Sequence, residues 1–131
     1  MLKQKYILLL LLLVISFSLA FSQKQEQITG IYTNLEYVKE SGDVVGMEVI
    51  IVYSTDGTKG QHYALFQEAQ GQPSSPVLTQ VTVNKDEIEF TIPDKQTNRT
   101  FKGKISKKEL VGKFRGNDET IHLKRKRSYW Q

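Results

Sequence analysis

Glu87-Ile88-Glu89-Phe90-Thr91-Ile92-Pro93-Asp94 places an apolar side chain at every second position and then stops on a proline–aspartate turn. Successive side chains of a β-strand point to opposite faces, so this run reads as a half-buried strand with Ile88, Phe90 and Ile92 inward. The pattern continues in both directions. Downstream, Phe101, Gly103 and Ile105 alternate with Lys102 and Lys104, and Ile121, Leu123 and Arg125 alternate with His122, Lys124 and Lys126. Upstream, Val45, Met47, Val49, Ile51 and Tyr53 form the inward set because Glu48 is expected to face water. That choice leaves Ile50 and Val52 outside, as a partner surface or a covered face.

Turn residues punctuate the alternation about every 8–12 positions, the spacing of an all-β sandwich or barrel. They are Ser41-Gly42-Asp43, Asp56-Gly57 with Gly60, the long break Gln70-Gly71-Gln72-Pro73-Ser74-Ser75-Pro76, Asn84-Lys85-Asp86, Pro93-Asp94 and Gly116-Asn117-Asp118. Eight strands are expected, over 28–37, 44–53, 61–68, 77–83, 87–92, 99–105, 109–114 and 119–127. No stretch has helical periodicity. Short connections make neighbouring strands antiparallel. Such a meander exposes two edges unless it closes, so the expected fold is an eight-stranded antiparallel up-and-down β-barrel. A two-sheet sandwich would use the same strands.

Residues 1–22 read differently. Lys3 and Lys5 precede an apolar run from Ile7 to Ala20, and Ala20 and Ser22 are small residues at the −3 and −1 positions of a cut before Gln23. A basic lead, an apolar run and a small-residue cleavage site make a secretory signal. The expected organisation is a cleaved signal peptide over 1–22, a flexible polar tail over 23–27 and one barrel domain over 28–131. The protein is then exported, periplasmic or secreted, with no stable membrane anchor after cleavage. The chain has no cysteine, so neither a disulfide staple, a thiolate nucleophile nor a Cys-ligated metal is available. The net charge is +4. It is unevenly spread: residues 23–95 are acidic on balance and residues 96–131 basic, so the barrel could carry faces of opposite sign.

Candidate chemistry is sparse. His62 and His122 have no partner at metal-ligand spacing, and carboxylates sit on turns and outward strand positions. No nucleophile, base and orienting group form a set, so an enzyme is not expected. Asp56-Gly57 and Asn117-Asp118-Glu119 lack the spacing of a calcium loop, and no metal or cofactor is expected. Asn98-Arg99-Thr100 is a glycosylation sequon on a turn, meaningful only in a eukaryotic host. Lys124-Arg125-Lys126-Arg127 is a basic run, but on a strand the alternation halves it. With Lys102, Lys104 and Lys113, the outward Lys124 and Lys126 form a candidate surface for anionic glycan or lipid headgroups. Export argues against nucleic acid as a partner.

Three segments place glycine between two large apolar residues of one parity: Ile28-Thr29-Gly30-Ile31-Tyr32, Phe101-Lys102-Gly103-Lys104-Ile105 and Leu110-Val111-Gly112-Lys113-Phe114. In a closed sheet, such glycines mark bends crossed by a neighbouring aromatic ring. Closure also sets the first strand beside the last, so the Arg125 guanidinium can lie over the Tyr32 ring, a contact worth about 0.5–2 kcal/mol. With Gly30-Ile31-Tyr32 opening the first strand and Arg125 on the last, the chain resembles the calycins, the lipocalins and avidins. Those families open with glycine, any residue and tryptophan, and cover that ring with a basic side chain from the last strand. Here Tyr32 takes the tryptophan's place, and Ser106-Lys107-Lys108 stands where lipocalins carry a threonine–aspartate–tyrosine turn.

The resemblance implies a binding protein. An eight-stranded barrel is just wide enough to be filled or to hold one small ligand. The candidate interior residues are Tyr32, Met47, Tyr53, Tyr63, Phe90, Phe101, Phe114 and Arg125. Two functions therefore stay open: a lipocalin-like barrel holding a small apolar ligand, and an extracytoplasmic protein-interaction module or protease inhibitor with a filled core. Tyr129-Trp130 either packs back on the barrel or docks on a partner.

Overall fold

A computed structural model of the chain describes residues 28–55 and 59–131, together with Tyr6. The expected leader (Tyr6 apart), the polar tail over 23–27 and the Asp56-Gly57 turn lie outside the described residues. Nine strands form one antiparallel sheet: β1 (Gly30–Thr33), β2 (Glu36–Val38), β3 (Asp43–Thr55), β4 (Gly60–Gly71), β5 (Val77–Asn84), β6 (Glu87–Ile92), β7 (Arg99–Ile105), β8 (Glu109–Phe114) and β9 (Ile121–Arg125). Neighbours in sequence pair throughout β3 to β9, and β1 closes the ring by pairing with both β3 and β9. The result is an eight-stranded barrel, with β2 as an extra strand on β3 alone. No helix among the described residues is long and apolar enough to cross a membrane.

The extra strand corrects the expected first strand over 28–37. Asn34 and Leu35 interrupt it because local side chains compete with the ladder. The Thr33 hydroxyl accepts the Leu35 N–H at 3.1 Å and donates to the Met47 carbonyl at 3.3 Å. Asn34 Oδ1 accepts the Met47 N–H at 2.7 Å. Opposite it, Gly46 has φ 104°, and a Cβ there would lie 2.6 Å from the Asn34 carbonyl oxygen. Only glycine serves at that position.

The second and third strands also extend beyond expectation, pairing from Val44–Gly71 to Thr55–Gly60. Part of the anticipated loop is therefore strand, and its remainder folds back with Ala69 bridging Pro73 and the Ser74 N–H donating to the Glu68 carbonyl. The last strand is shorter than expected, ending at Arg125. Inward positions follow the alternation. Val49, Ile51, Ala64, Phe66, Val81, Ile88, Phe90, Ile92, Phe101, Ile105, Leu110, Phe114, Ile121 and Leu123 form one buried cluster with Ile28 and Tyr32.

Candidate functional site

The barrel has two mouths and both carry an arginine. At the mouth where β1 begins, Tyr32 is fully buried and its hydroxyl donates to the Ile28 carbonyl at 3.1 Å. Tyr32 and Arg125 are cross-strand partners. The Arg125 guanidinium lies 5.7 Å from the ring centroid and donates to the Thr29 carbonyl at 2.6 Å. A Cβ on Gly30 would sit 2.9 Å from Arg125 Nε, so the glycine makes room for the guanidinium. Burial pushes the Tyr32 hydroxyl above its ordinary pKa, with the Arg125 charge pulling the other way. The arrangement expected from Gly30, Tyr32 and Arg125 is thus present.

The opposite mouth holds a pair that the strand pattern did not flag. Arg99 donates both terminal nitrogens to Glu68, at 2.7 and 3.0 Å. Its guanidinium stands 5.1 Å from the Phe114 centroid and 5.9 Å from that of Phe66. Glu68 shares inward parity with Ala64 and Phe66, so this fork lies over the aromatic interior.

Between the mouths, phenylalanine rings meet across the barrel. Phe90 stacks on Phe101 at 5.1 Å, and Phe101 meets Phe114 edge-on at 5.5 Å. Phe66 contacts Phe90 and Phe114 at 6.4 and 6.2 Å. Gly103 and Gly112 are cross-strand partners beneath this cluster, and a Cβ on either would meet the Phe101 ring within 2.7 Å. Glycine here lets an inward ring lie flat against the sheet. Met47 is half-buried against the core. Tyr53 is half-buried near the far end of β3, where its ring lies 4.8 Å from that of His62. His62 Nε2 is buried without a hydrogen-bond partner, and burial lowers the pKa of this imidazole.

Tyr63 departs from expectation. Its neighbours Ala64 and Phe66 set the inward parity of β4, and its cross-strand partner is the exposed Val52. Tyr63 therefore belongs to the outer face and not to the interior. The expected lysine surface divides. Lys102, Lys104 and Lys113 rim an outer groove of about 570 Å³ over the Gly103–Gly112 bend. Glu87 and Glu89 share that rim, and Lys102 Nζ is 2.6 Å from the Glu89 carboxylate. Lys124 lies opposite Glu109 on β8, and Lys126 lies past β9 with its N–H donating to the Ile31 carbonyl. Carboxylates thus interrupt the basic face.

The outer face of the other half carries an apolar row. Ile31, Ile50, Leu65 and Leu78 are successive cross-strand partners, forming a row across β1, β3, β4 and β5. Leu78 is 64% exposed, Val52 47% and Leu65 38%. Glu48, expected to face water, does point outward but is covered. The Ser128 hydroxyl donates to Glu48 Oε1 at 2.6 Å and the Tyr129 N–H to Oε2 at 3.0 Å. The Trp130 indole N–H donates to Gln67 Oε1 at 2.9 Å. Tyr129-Trp130 thus packs back on the barrel. Parity alone placed Ile50 and Val52 outside; the register that adds Leu65 and Leu78 to them needed the fold.

Comparison with family models, with curated proteins and with solved structures gives no match.

Proposed function

We propose that this protein is an exported, non-enzymatic interaction module that recognises another protein through the outer face of β3, β4 and β5. One observation carries the reading. Phe66, Phe90, Phe101 and Phe114 pack on one another inside the barrel, while an in-register apolar row of Ile50, Leu65 and Leu78 is left on the outside with Val52 and Tyr63 beside it. Contiguous apolar surface on a small domain is the usual mark of an interaction site. The leader-like run over 1–22 supports export.

The test is a photo-crosslinking residue at position 78 in the producing cell, compared with one at Glu119 in the exposed segment before β9. A discrete adduct at 78, absent at 119 and abolished by Val52→Glu without loss of thermal stability, is the expected result. Equal labelling at both positions would sink the proposal.

A second reading has its own support. His62 and Tyr53 offer an unpartnered nitrogen and a hydroxyl beside the apolar core. In a lipocalin-like barrel such groups orient a small apolar ligand. Native mass spectrometry of residues 23–131 separates the two. A small-molecule adduct that persists until denaturation favours the ligand, and a bare mass favours the interaction module.

A further inference from the structure

Three described polar side chains are buried together, and they lie outside the barrel. Thr33, Glu48 and Ser128 are 1%, 3% and 8% exposed. Thr33 and Glu48 are cross-strand partners, and Ser128 bonds to Glu48. Burying a carboxylate is costly unless its oxygens are hydrogen-bonded. Among the described residues no Lys or Arg forms an ion pair with Glu48. Its charge is met by donors on one short segment: the Ser128 hydroxyl and the Tyr129 N–H. The next residue adds a third donor, the indole N–H to Gln67. Three consecutive residues thus address two side chains of β3 and β4, over a hollow of about 400 Å³ walled by Ile50, Leu65 and Pro76. The geometry is that of a peptide seated on a receptor, with donors matched to acceptors and an apolar floor.

The segment fills only part of the face. Trp130 itself is 54% exposed, and Leu78, next in the row, is bare. We infer that this seat is a peptide-recognition site for a partner segment carrying a small hydroxyl residue two positions before a tryptophan. Ser128–Trp130 occupies the seat in cis until such a segment displaces it. The inference rests on the outer-face reading above and gives its partner a chemistry. A tethered segment competes at an effective concentration of roughly millimolar. A displacing partner gains over it through apolar residues that reach Leu78, which the cis segment leaves open.

The test uses the full chain and a labelled peptide, Lys-Arg-Ser-Tyr-Trp-Gln, followed by fluorescence anisotropy. Ser128→Ala weakens the cis contact, so that variant should bind the peptide at least tenfold more tightly than the unaltered chain. Adding Glu48→Gln, or replacing serine by alanine in the peptide, should each reverse the gain. Equal binding by the unaltered and Ser128→Ala chains, or binding indifferent to Glu48→Gln, would overturn the inference. A second readout guards against misfolding. Trp130 is the only tryptophan of the chain, so its emission reports the seat directly. Glu48→Gln should shift it to the red and raise acrylamide quenching with the circular dichroism unchanged; unmoved emission counts against the seat. Capture at position 78 with a failed peptide experiment would remove this inference and leave the outer-face reading standing. Failure of both would remove both.

Discussion

Phe101→Ala is the substitution that most directly probes how the barrel is held. Phe101 is 1% exposed, stacks on Phe90 and meets Phe114 edge-on. Truncating a buried phenylalanine costs about 3–5 kcal/mol, because the lost burial is joined by the cavity left behind. Two aromatic contacts of about 0.5–1.5 kcal/mol each place Phe101 in the upper part of that range. The neighbours cannot close the gap easily, since Gly103 and Gly112 present no side chains to move in. A loss of about 4–5 kcal/mol approaches the whole stability of a small domain, about 5–15 kcal/mol. Phe101→Leu keeps most of the volume and loses the ring contacts, so about 2 kcal/mol is expected. The assay is equilibrium urea unfolding of both variants, followed by far-ultraviolet circular dichroism and by Trp130 emission. A loss under about 1.5 kcal/mol for Phe101→Ala would refute the reasoning, because tightly packed interiors do not tolerate that truncation so cheaply. It would mean that the rings line a loosely occupied lumen, and the ligand reading would gain.

Gly112→Ala should prevent folding or cost more than about 3 kcal/mol, since the new Cβ would lie 2.3 Å from the Lys102 carbonyl oxygen, a backbone atom; soluble yield and thermal melting decide it. Arg125→Met should lose about 2 kcal/mol through the cation–π contact and the charged hydrogen bond to Thr29, with Arg125→Lys restoring only part because an ammonium lacks the guanidinium fork; urea midpoints measure both. Stability should fall as pH drops below 6.5, the ordinary value for His62, because the folded state holds the imidazole neutral while the unfolded chain takes up the proton. That fraction of the acid sensitivity should vanish in His62→Gln, compared by melting temperature from pH 7.5 to 5.

The outer-face row and the seat on Glu48 were only partly legible in the sequence. Alternation around Glu48 put Ile50 and Val52 outside, but exposed Leu65 and Leu78 join them only through register, which fixes cross-strand partners that no single strand displays. Tyr63 shows the same limit. An aromatic inside a strand of mixed polarity carries no mark of its side, and the burial of Ala64 and Phe66 with the pairing of Tyr63 to exposed Val52 decided it. Glu48 failed as a guide to solvent because a distant segment supplied its hydrogen bonds, a circumstance invisible to any local pattern. Arg99 and Glu68 are 31 residues apart and meet only because the barrel brings the ends of β4 and β7 to one mouth.

The sequence by itself determined the strands from β3 to β9, their antiparallel order and the inward sets Ile88–Phe90–Ile92 and Ile121–Leu123. Period-two burial and turn chemistry are local properties, and they are strong where one face is apolar and the other charged. It also put Tyr32 and Arg125 on the core parity of the first and last strands, which become neighbours once the meander closes; the register that pairs them came from the fold. The tertiary structure alone decided the break at Asn34-Leu35, the length of the β3–β4 hairpin, the Arg99–Glu68 ion pair and the seating of Ser128–Trp130 on Glu48. The last two join groups far apart in sequence at hydrogen-bond distance, and such meetings follow from the shape of the whole barrel.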